Sequence, residues 1–217
     1  SLGDSRVELT DLPGVYALAA HTEGLSLDEQ IAAQAIVSIE ADCIINVLDA
    51  CHLERHLYLT TQILELGRPV VVVLNMMDIA QQRGIAIDCA LLSKALGCPV
   101  IPIQAHKNIG LSLLHETLLA VPAPTKPLVL PYDKKVTHIL DLIQHELISK
   151  SLSHSLAYYY AHRLAEGDLL QAQVLFSLDL SHEQAQALDL DIAMADARYQ
   201  SIHEITLAAQ KKASDAS

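Results

Sequence analysis

Three polar loops in this 217-residue chain each follow a short apolar run. They are Asp11-Leu-Pro-Gly14, Asn75-Met-Met-Asp78 and Gln104-Ala-His-Lys107 (the Asp11–Gly14, Asn75–Asp78 and Gln104–Lys107 loops). Carboxylates bind hard cations and N–H donors, and a glycine lets the backbone approach a ligand closely. Because of these residue types and positions, the three loops are the candidate ligand-binding site of the chain.

The Asp11–Gly14 loop has the groups that are needed beside nucleotide phosphates. A carboxylate at Asp11 can hold Mg²⁺, often through a water molecule. Gly14 has no side chain, so its N–H can approach a γ-phosphate and respond to its presence. The pattern D-x-x-G is too short to identify a phosphate site by itself, because an ordinary Asx turn also produces it.

The Asn75–Asp78 loop has the groups that could select a base. The two oxygens of Asp78 can accept from N1–H and from the exocyclic amine of guanine, whereas adenine offers neither donor. An unpaired buried polar group of this kind discriminates by roughly 10⁴-fold or more. Asn75 can brace the neighbouring loops and meet the base. In the third loop, the backbone N–H groups of Ala105 and His106 are expected to meet the guanine oxygen.

Hydrophobic patterning predicts the elements that position these loops. Strands are expected at 6–10, 43–48, 70–74 and 100–103. Helices are expected at 26–38, 54–66, 88–96 and 110–119, the first opened by a capping box from Ser26 to Glu29. Alternating strands and helices favour a parallel sheet whose carboxyl ends meet at one edge. The three loops are therefore expected to converge at that edge.

A second region follows a stiff linker at 121–131 that contains four prolines. Beyond it the pattern is helical throughout, with helices expected at 132–150, 154–166, 168–177, 181–194 and 195–212. The sequence thus predicts an α/β domain at 1–120 and an all-α domain at 132–217. The formal net charge of −12 argues against nucleic acid as a partner of either domain.

Longer stretches of the sequence resemble one family across essentially the whole chain. DLPGVYAL, SLDEQIA, INVLDACHLERHLYLTTQILELG, VVVLNMMDIA, LGCPVIPI and ADARYQ are similar to the N-terminal region of the bacterial ferrous iron transporters, the FeoB family. The resemblance implies a Ras-like P-loop GTPase domain and then a helical domain likened to a guanine-nucleotide dissociation inhibitor. A membrane permease domain would follow outside this chain.

The resemblance also implies ligands, partners and a location. It implies GTP or GDP with Mg²⁺, Fe²⁺ import coupled to nucleotide state, a possible homo-oligomer, and a place at the cytoplasmic face of the bacterial inner membrane. The metal ligand would be Asp11, through water. The nucleotide-binding residues carried over are Asp11, Leu12, Pro13, Gly14, Asn75, Met76, Met77, Asp78, Gln104, Ala105 and His106.

Two departures from the family pattern bear on activity. The 217 residues contain no G-x-x-x-x-G-K-[ST] phosphate-binding loop, so we expect an N-terminally incomplete chain that lacks roughly 40–50 residues. The strand that carries that loop would lie between the strands at 6–10 and 43–48, which would otherwise have open edges. Val15 stands where Ras-type enzymes have a water-orienting glutamine, so hydrolysis is expected to be slow.

Two other functions remain open from the sequence. One is an interaction module that binds no nucleotide, in which the helical domain contacts a partner without catalysis. The other is a ribosome- or RNA-associated GTPase, which would need a basic appendage. Residues 125–217 carry 12 acidic and 8 basic residues, which disfavours the RNA-associated alternative.

Overall fold

The computed structural model describes residues 7–15, 17–18, 27–38, 41–120, 122–166 and 190–212. Within these ranges the strands are β1 (Ile44–Asp49), β2 (Val70–Asn75), β3 (Ile85–Ile87), β4 (Val100–Pro102) and β5 (Gln210–Lys212). The helices are α1 (Leu27–Ser38), α2 (Leu53–Leu64), α3 (Met77–Gln82), α4 (Cys89–Leu96), α5 (Leu111–Leu119), α6 (Lys134–Ser149), α7 (His154–Ala165) and α8 (Leu190–Ala209). Short 3₁₀ turns occupy Ala50–His52 and Ala105–Lys107.

A parallel three-stranded sheet in the order β1-β2-β4 positions the candidate loops. All five residues from Val70 to Leu74 are buried, because helices cover both faces of β2. Val71 and Val73 pack with Leu114 and Leu118 of α5, while Val72 belongs to the cluster on the opposite face. The continuous apolar run of β2 therefore forms the centre of the sheet, as its sequence predicts.

The helix ends follow local sequence signals. Asp88 caps α4 by accepting hydrogen bonds from the backbone N–H groups of Ala90 and Leu91. Gly97 ends the same helix in the left-handed conformation, at φ 69°. The predictions for β1, β2, β4, α1, α2, α4 and α5 are confirmed to within a few residues. Ser26, the proposed cap of α1, lies outside the described residues.

Two strand predictions are wrong. Residues 7–10 are exposed and form no strand, because no neighbouring chain in the described ranges takes their backbone hydrogen bonds. The region after the linker was expected to contain no strand, yet β5 pairs antiparallel with β3 in the register Ile85↔Lys212. Both of these strands are three residues long, which is too short for an alternating pattern to show.

After the linker, the described residues 132–166 and 190–212 form helices α6, α7 and α8 and the short strand β5. Helices α6, α7 and α8 share an apolar cluster that includes Leu140, Leu147, Leu164 and Met194. One helix, α8, spans Leu190–Ala209, where two separate helices were expected at 181–194 and 195–212. The helix expected at 168–177 lies outside the described residues. In the described ranges, no helix is both long and apolar enough to span a bilayer.

Candidate functional site

The Asn75–Asp78 and Gln104–Lys107 loops meet at the carboxyl edge of the sheet. Asn75 ends β2, and its Oδ1 accepts a hydrogen bond from the backbone N–H of Ala105 at 3.2 Å. Met76 then turns into the left-handed region, at φ 61°, and this places Asp78 in the first turn of α3. The Asn75 side chain therefore fastens the two loops to each other.

Asp78 is the charged centre of this pair of loops. Its Oδ2 lies 2.9 Å from Lys107 Nζ and 3.2 Å from His106 Nε2. Its Oδ1 is buried and has no hydrogen-bond partner in the described structure. The Lys107 hydrogen bond holds the pKa of the Asp78 carboxyl below its usual value, so the group is ionised at neutral pH. The carboxylate thus has one oxygen paired with Lys107 and a second oxygen enclosed by the protein.

A glycine closes the Gln104–Lys107 loop. Gln104 and Ile109 form an isolated antiparallel bridge, and Gly110 follows at φ 84°. A Cβ atom at Gly110 would lie 2.3 Å from the backbone oxygen of Pro102. Only glycine fits this turn, so Gly110 fixes the position of the loop relative to β4.

The Asp11–Gly14 loop lies next to β1 and α2. Asp11 and Gly14 are exposed, and Gly14 lines a cavity of about 260 Å³ together with Val15, Asn46, Val47, Leu48, Arg55, His56 and Leu59. A Cβ atom on Gly14 would meet no atom of the described residues within 4 Å. Packing against the described residues therefore does not require a glycine at this position.

Asp11 supplies the donor type that Mg²⁺ prefers. Its exposed carboxylate is a hard oxygen ligand, and Mg²⁺ in nucleotide sites commonly binds one or two carboxylates, phosphates and water. No group of three or more His, Cys, Asp or Glu side chains in the described ranges could hold a metal ion. Asp11 therefore fits Mg²⁺ only if other oxygens, such as those of a nucleotide, complete the coordination.

Leu18, four residues after Gly14, is bonded both to the α/β region and to the helical region. It is buried, and its N–H donates to Gln62 Oε1 of α2 at 2.6 Å. Its carbonyl accepts from Arg163 Nη1 of α7 at 3.2 Å. The backbone four residues after Gly14 is thus held by one side chain from each region.

Arg163 belongs to a buried cluster of four charges, which also contains Glu65, Glu166 and Arg198. Arg163 contacts Glu65 at 2.8 Å and Glu166 at 2.7 Å, and Arg198 contacts the same two carboxylates at 2.6 and 2.5 Å. Burial favours the neutral form of Glu65, but the two guanidiniums outweigh it and lower its pKa. The cluster connects α2 to α7 and α8.

Sequence reasoning missed these charges and the Lys107 contact. Glu65 and Arg198 interrupt helical patterns at positions that face the core, and both are less than 3% exposed. Charges on an apolar helix face are the available sequence signal, because buried charges require partners. The Asp78–Lys107 pair spans 29 residues and has no local signal.

Comparisons with known proteins agree with this geometry. The family model described as "Ferrous iron transport protein B" matches residues 1–118. The chain is 56% identical over its whole length to the Fe(2+) transporter FeoB of Legionella pneumophila strain Paris, and it spans 29% of that protein. It is 36% identical to the Escherichia coli K12 Fe(2+) transporter FeoB, covering 94% of this chain and 27% of the relative.

Solved structures show the same fold. The cytosolic domain of L. pneumophila FeoB matches with a TM-score of 0.82 and 53% identity, over 93% of this chain and 79% of that one. The GMPPNP form of the T. maritima FeoB cytosolic domain matches with a TM-score of 0.80 and 27% identity, over 93% and 80% of the two chains. The predicted α/β fold class and the family resemblance are confirmed, and the chain belongs to the ferrous iron transport protein B family, FeoB.

Proposed function

We propose that this chain is the GTP-binding and GTP-hydrolysing module of a Fe²⁺ transporter, coupled through its helical region to a membrane permease. The observation that carries the proposal is Asp78, an ionised carboxylate with a buried partner-free oxygen at the carboxyl edge of the sheet. The chain spans only 27–29% of the curated relatives, so Fe²⁺ transport would be a property of the longer protein.

Asp78 would select guanine through its two oxygens. Guanine presents N1–H and an exocyclic amine side by side, and both can donate to one carboxylate. Adenine offers neither of these donors, so it would gain none of the hydrogen bonds that guanine makes to the carboxylate. Structures of relatives have been solved in a GDP form, from T. maritima, and bound to mGMPPNP, from S. thermophilus, which supports guanine nucleotides as the ligands. Ala105 and His106 would contribute backbone N–H groups toward the guanine oxygen.

Asp11 and Gly14 would serve the phosphate end of the nucleotide. Mg²⁺, when bound, would neutralise phosphate charge, and Asp11 would hold it through water. The open space beside Gly14 leaves room for a γ-phosphate to approach its N–H. Val15 packs against the apolar core and carries no group that could orient a water molecule, so we infer slow hydrolysis.

Leu18 would pass the nucleotide state on. A γ-phosphate that pulls on Gly14 displaces the chain that follows it, and that chain is bonded to Gln62 and Arg163. Arg163 is held in a buried charge cluster. If Leu18 moves, either α7 moves with it or the contact with Arg163 resists the movement. This contact supports a direct route from the Asp11–Gly14 loop to the helical region.

We infer a position at the cytoplasmic face of the bacterial inner membrane, with the permease of the same protein as the partner and homo-oligomers as an additional assembly. The net charge of −12 disfavours nucleic acid as a partner, because an acidic protein is repelled by phosphate backbones.

A fluorescent GDP titration of the protein at its full natural length tests the proposal. We expect saturable binding that unlabelled GDP displaces and that equal concentrations of ADP leave in place. Absence of GDP binding would favour the nucleotide-free interaction module instead. If ADP displaced fluorescent GDP as well as unlabelled GDP does, Asp78 would not have the proposed role of selecting guanine.

A further inference from the structure

We propose that Arg68 is a positioning residue for the nucleotide switch, which fastens the C-terminal end of α1 to the linker at 121–131. This inference rests on the proposed function, since α1 follows the Asp11–Gly14 loop along the chain. It adds a second connection to the helical region, one that uses neither Leu18 nor Arg163.

The C-terminal end of α1 is capped by a side chain from outside the helix. Arg68 lies in the turn between α2 and β2, and its guanidinium donates from Nη1 to the Ile36 carbonyl at 3.2 Å and from Nη2 to the Val37 carbonyl at 2.8 Å. The last four carbonyls of a helix have no partner within it, and a cation there also interacts favourably with the helix dipole. Because α1 itself (LDEQIAAQAIVS) contains no basic residue, Arg68 supplies the charge as well as the donors.

The core packing of α1 is concentrated near the same carbonyls. Ile36 is buried in the apolar cluster that covers one face of the sheet, whereas Leu27 and Ile31 are 70% and 50% exposed. Hydrogen bonds from a charged donor are roughly twice as strong as neutral ones. The two hydrogen bonds from Arg68 therefore hold α1 at the end where it meets the core.

The backbone of Arg68 binds the linker. Its carbonyl accepts from the N–H of Thr125 at 3.2 Å and from Thr125 Oγ1 at 2.7 Å. Thr125 is only 5% exposed, so these hydrogen bonds are shielded from water. The preceding Gly67 lies at φ 66°, and a Cβ atom there would lie 3.0 Å from Ser155 Oγ of α7. The turn has little space to absorb a displacement of α1, so Thr125 would move with it.

Hydrogen exchange on the full-length protein tests the α1 end of this connection. In Arg68→Ala, the loss of hydrogen bonds from a charged group should speed exchange of the amides at 36–38 by roughly tenfold or more. Arg68→Lys retains the cation but lacks the fork that reaches both carbonyls, so its exchange should lie between those of wild type and Arg68→Ala. The matched control is Arg83→Ala, which removes an exposed arginine at the end of α3 and should leave exchange at 36–38 unchanged.

The Thr125 amide distinguishes a positioning role from ordinary structural support. In wild type, its exchange rate should differ between the GDP and GMPPNP complexes by roughly fivefold or more, the lower end of typical coupling between two sites. This difference should disappear in Arg68→Ala and shrink in Arg68→Lys, although the carbonyl that binds Thr125 remains in both. A purely structural role for Arg68 would speed exchange equally in the two complexes and preserve the difference.

The possible results separate this inference from the proposed function. If wild type binds no GDP, the proposed function fails and the inference fails with it. If wild type binds GDP but Thr125 exchange is the same in both complexes, or if both Arg68 variants keep the wild-type difference, the inference alone is overturned. Unchanged exchange at 36–38 in Arg68→Ala would overturn it as well. Should Arg68→Ala fail to fold, Arg68→Lys decides by the same two readouts.

Discussion

Arg163 on α7 donates a hydrogen bond from Nη1 to the backbone carbonyl of Leu18 at 3.2 Å, which joins residues 145 positions apart. Leu18 lies four residues beyond Gly14, and its N–H is held by Gln62. A side chain of the helical region thus contacts the backbone of the loop segment that is proposed to respond to phosphate. The proposed coupling between the Asp11–Gly14 loop and the helical region depends on this contact.

The Leu18 amide should exchange faster when its acceptor is removed. Gln62→Leu leaves the buried N–H of Leu18 without its partner, and a net hydrogen bond of about 1 kcal/mol corresponds to roughly fivefold faster exchange. Hydrogen exchange measured on this amide checks the expectation. The control is Gln200→Leu, at an exposed glutamine on α8 that bonds to Glu204. Unchanged exchange in Gln62→Leu would show that Leu18 is not held in this way.

Arg198→Ala should destabilise the protein strongly. Arg198 is fully buried, and its loss removes a partner from both Glu65 and Glu166. Breaking a buried ion pair from one side costs about 3–5 kcal/mol. Glu146→Gln, in an exposed pair with Lys150, should cost only about 0–1 kcal/mol. Denaturant unfolding of both variants measures the two losses in the free energy of unfolding. Equal losses would mean that the buried cluster does not stabilise the packing of α2 against α7 and α8.

His162 should make stability depend on pH below neutrality. Burial lowers the pKa of its imidazole, whose Nδ1 lies 2.8 Å from the Tyr158 carbonyl oxygen. Because the folded pKa is depressed below the unfolded value near 6.5, the unfolded state takes up the proton first. The free energy of unfolding should therefore fall as pH decreases from about 6.5, by at most about 1.4 kcal/mol per pH unit.

His162→Asn places an amide N–H close to the position of Nδ1, where it can donate to the Tyr158 carbonyl, and removes the titration. Unfolding by denaturant at pH 7.5, 6.5 and 5.5 should show a smaller loss of stability in this variant than in wild type. Identical pH profiles for the two proteins would contradict the assignment to His162.

Substitution by alanine should destabilise the protein at Gly110 and leave its stability nearly unchanged at Gly14. Gly110→Ala forces a Cβ atom against the Pro102 oxygen at positive φ and should cost at least about 1–3 kcal/mol. Gly14→Ala meets no atom of the described residues within 4 Å, so its free energy of unfolding should change by less than about 1 kcal/mol. Thermal unfolding compares the two. A large loss in Gly14→Ala would mean that this glycine is required for packing rather than for a ligand.

The elements that the sequence predicts well are those with strong local patterns. The run at 70–74 is apolar and β-branched, and it forms the buried centre of the sheet. Asp88 and Gly97 mark the ends of α4 through ordinary capping chemistry. The convergence of the Asn75–Asp78 and Gln104–Lys107 loops follows from parallel strands whose carboxyl ends share an edge.

The contacts that local patterns do not encode were missed. The β3–β5 pairing joins residues more than 120 positions apart through strands of three residues each. The four buried charges pair across α2, α7 and α8, so their partners depend on the tertiary fold. The strand expected at 6–10 is absent over its described residues 7–10, since apolar and β-branched composition cannot replace a hydrogen-bonding neighbour.

The proposed selection of guanine by Asp78 is best tested by exchanging the base preference of the protein. Asp78→Asn replaces one carboxylate oxygen with an amide donor, which suits the C2 oxygen of xanthine in place of the guanine amine. Titration of the full-length protein with fluorescent GDP and XDP measures both affinities. We predict that Asp78→Asn loses GDP affinity and gains XDP affinity relative to wild type. Retained GDP binding without any gain for XDP would contradict the account.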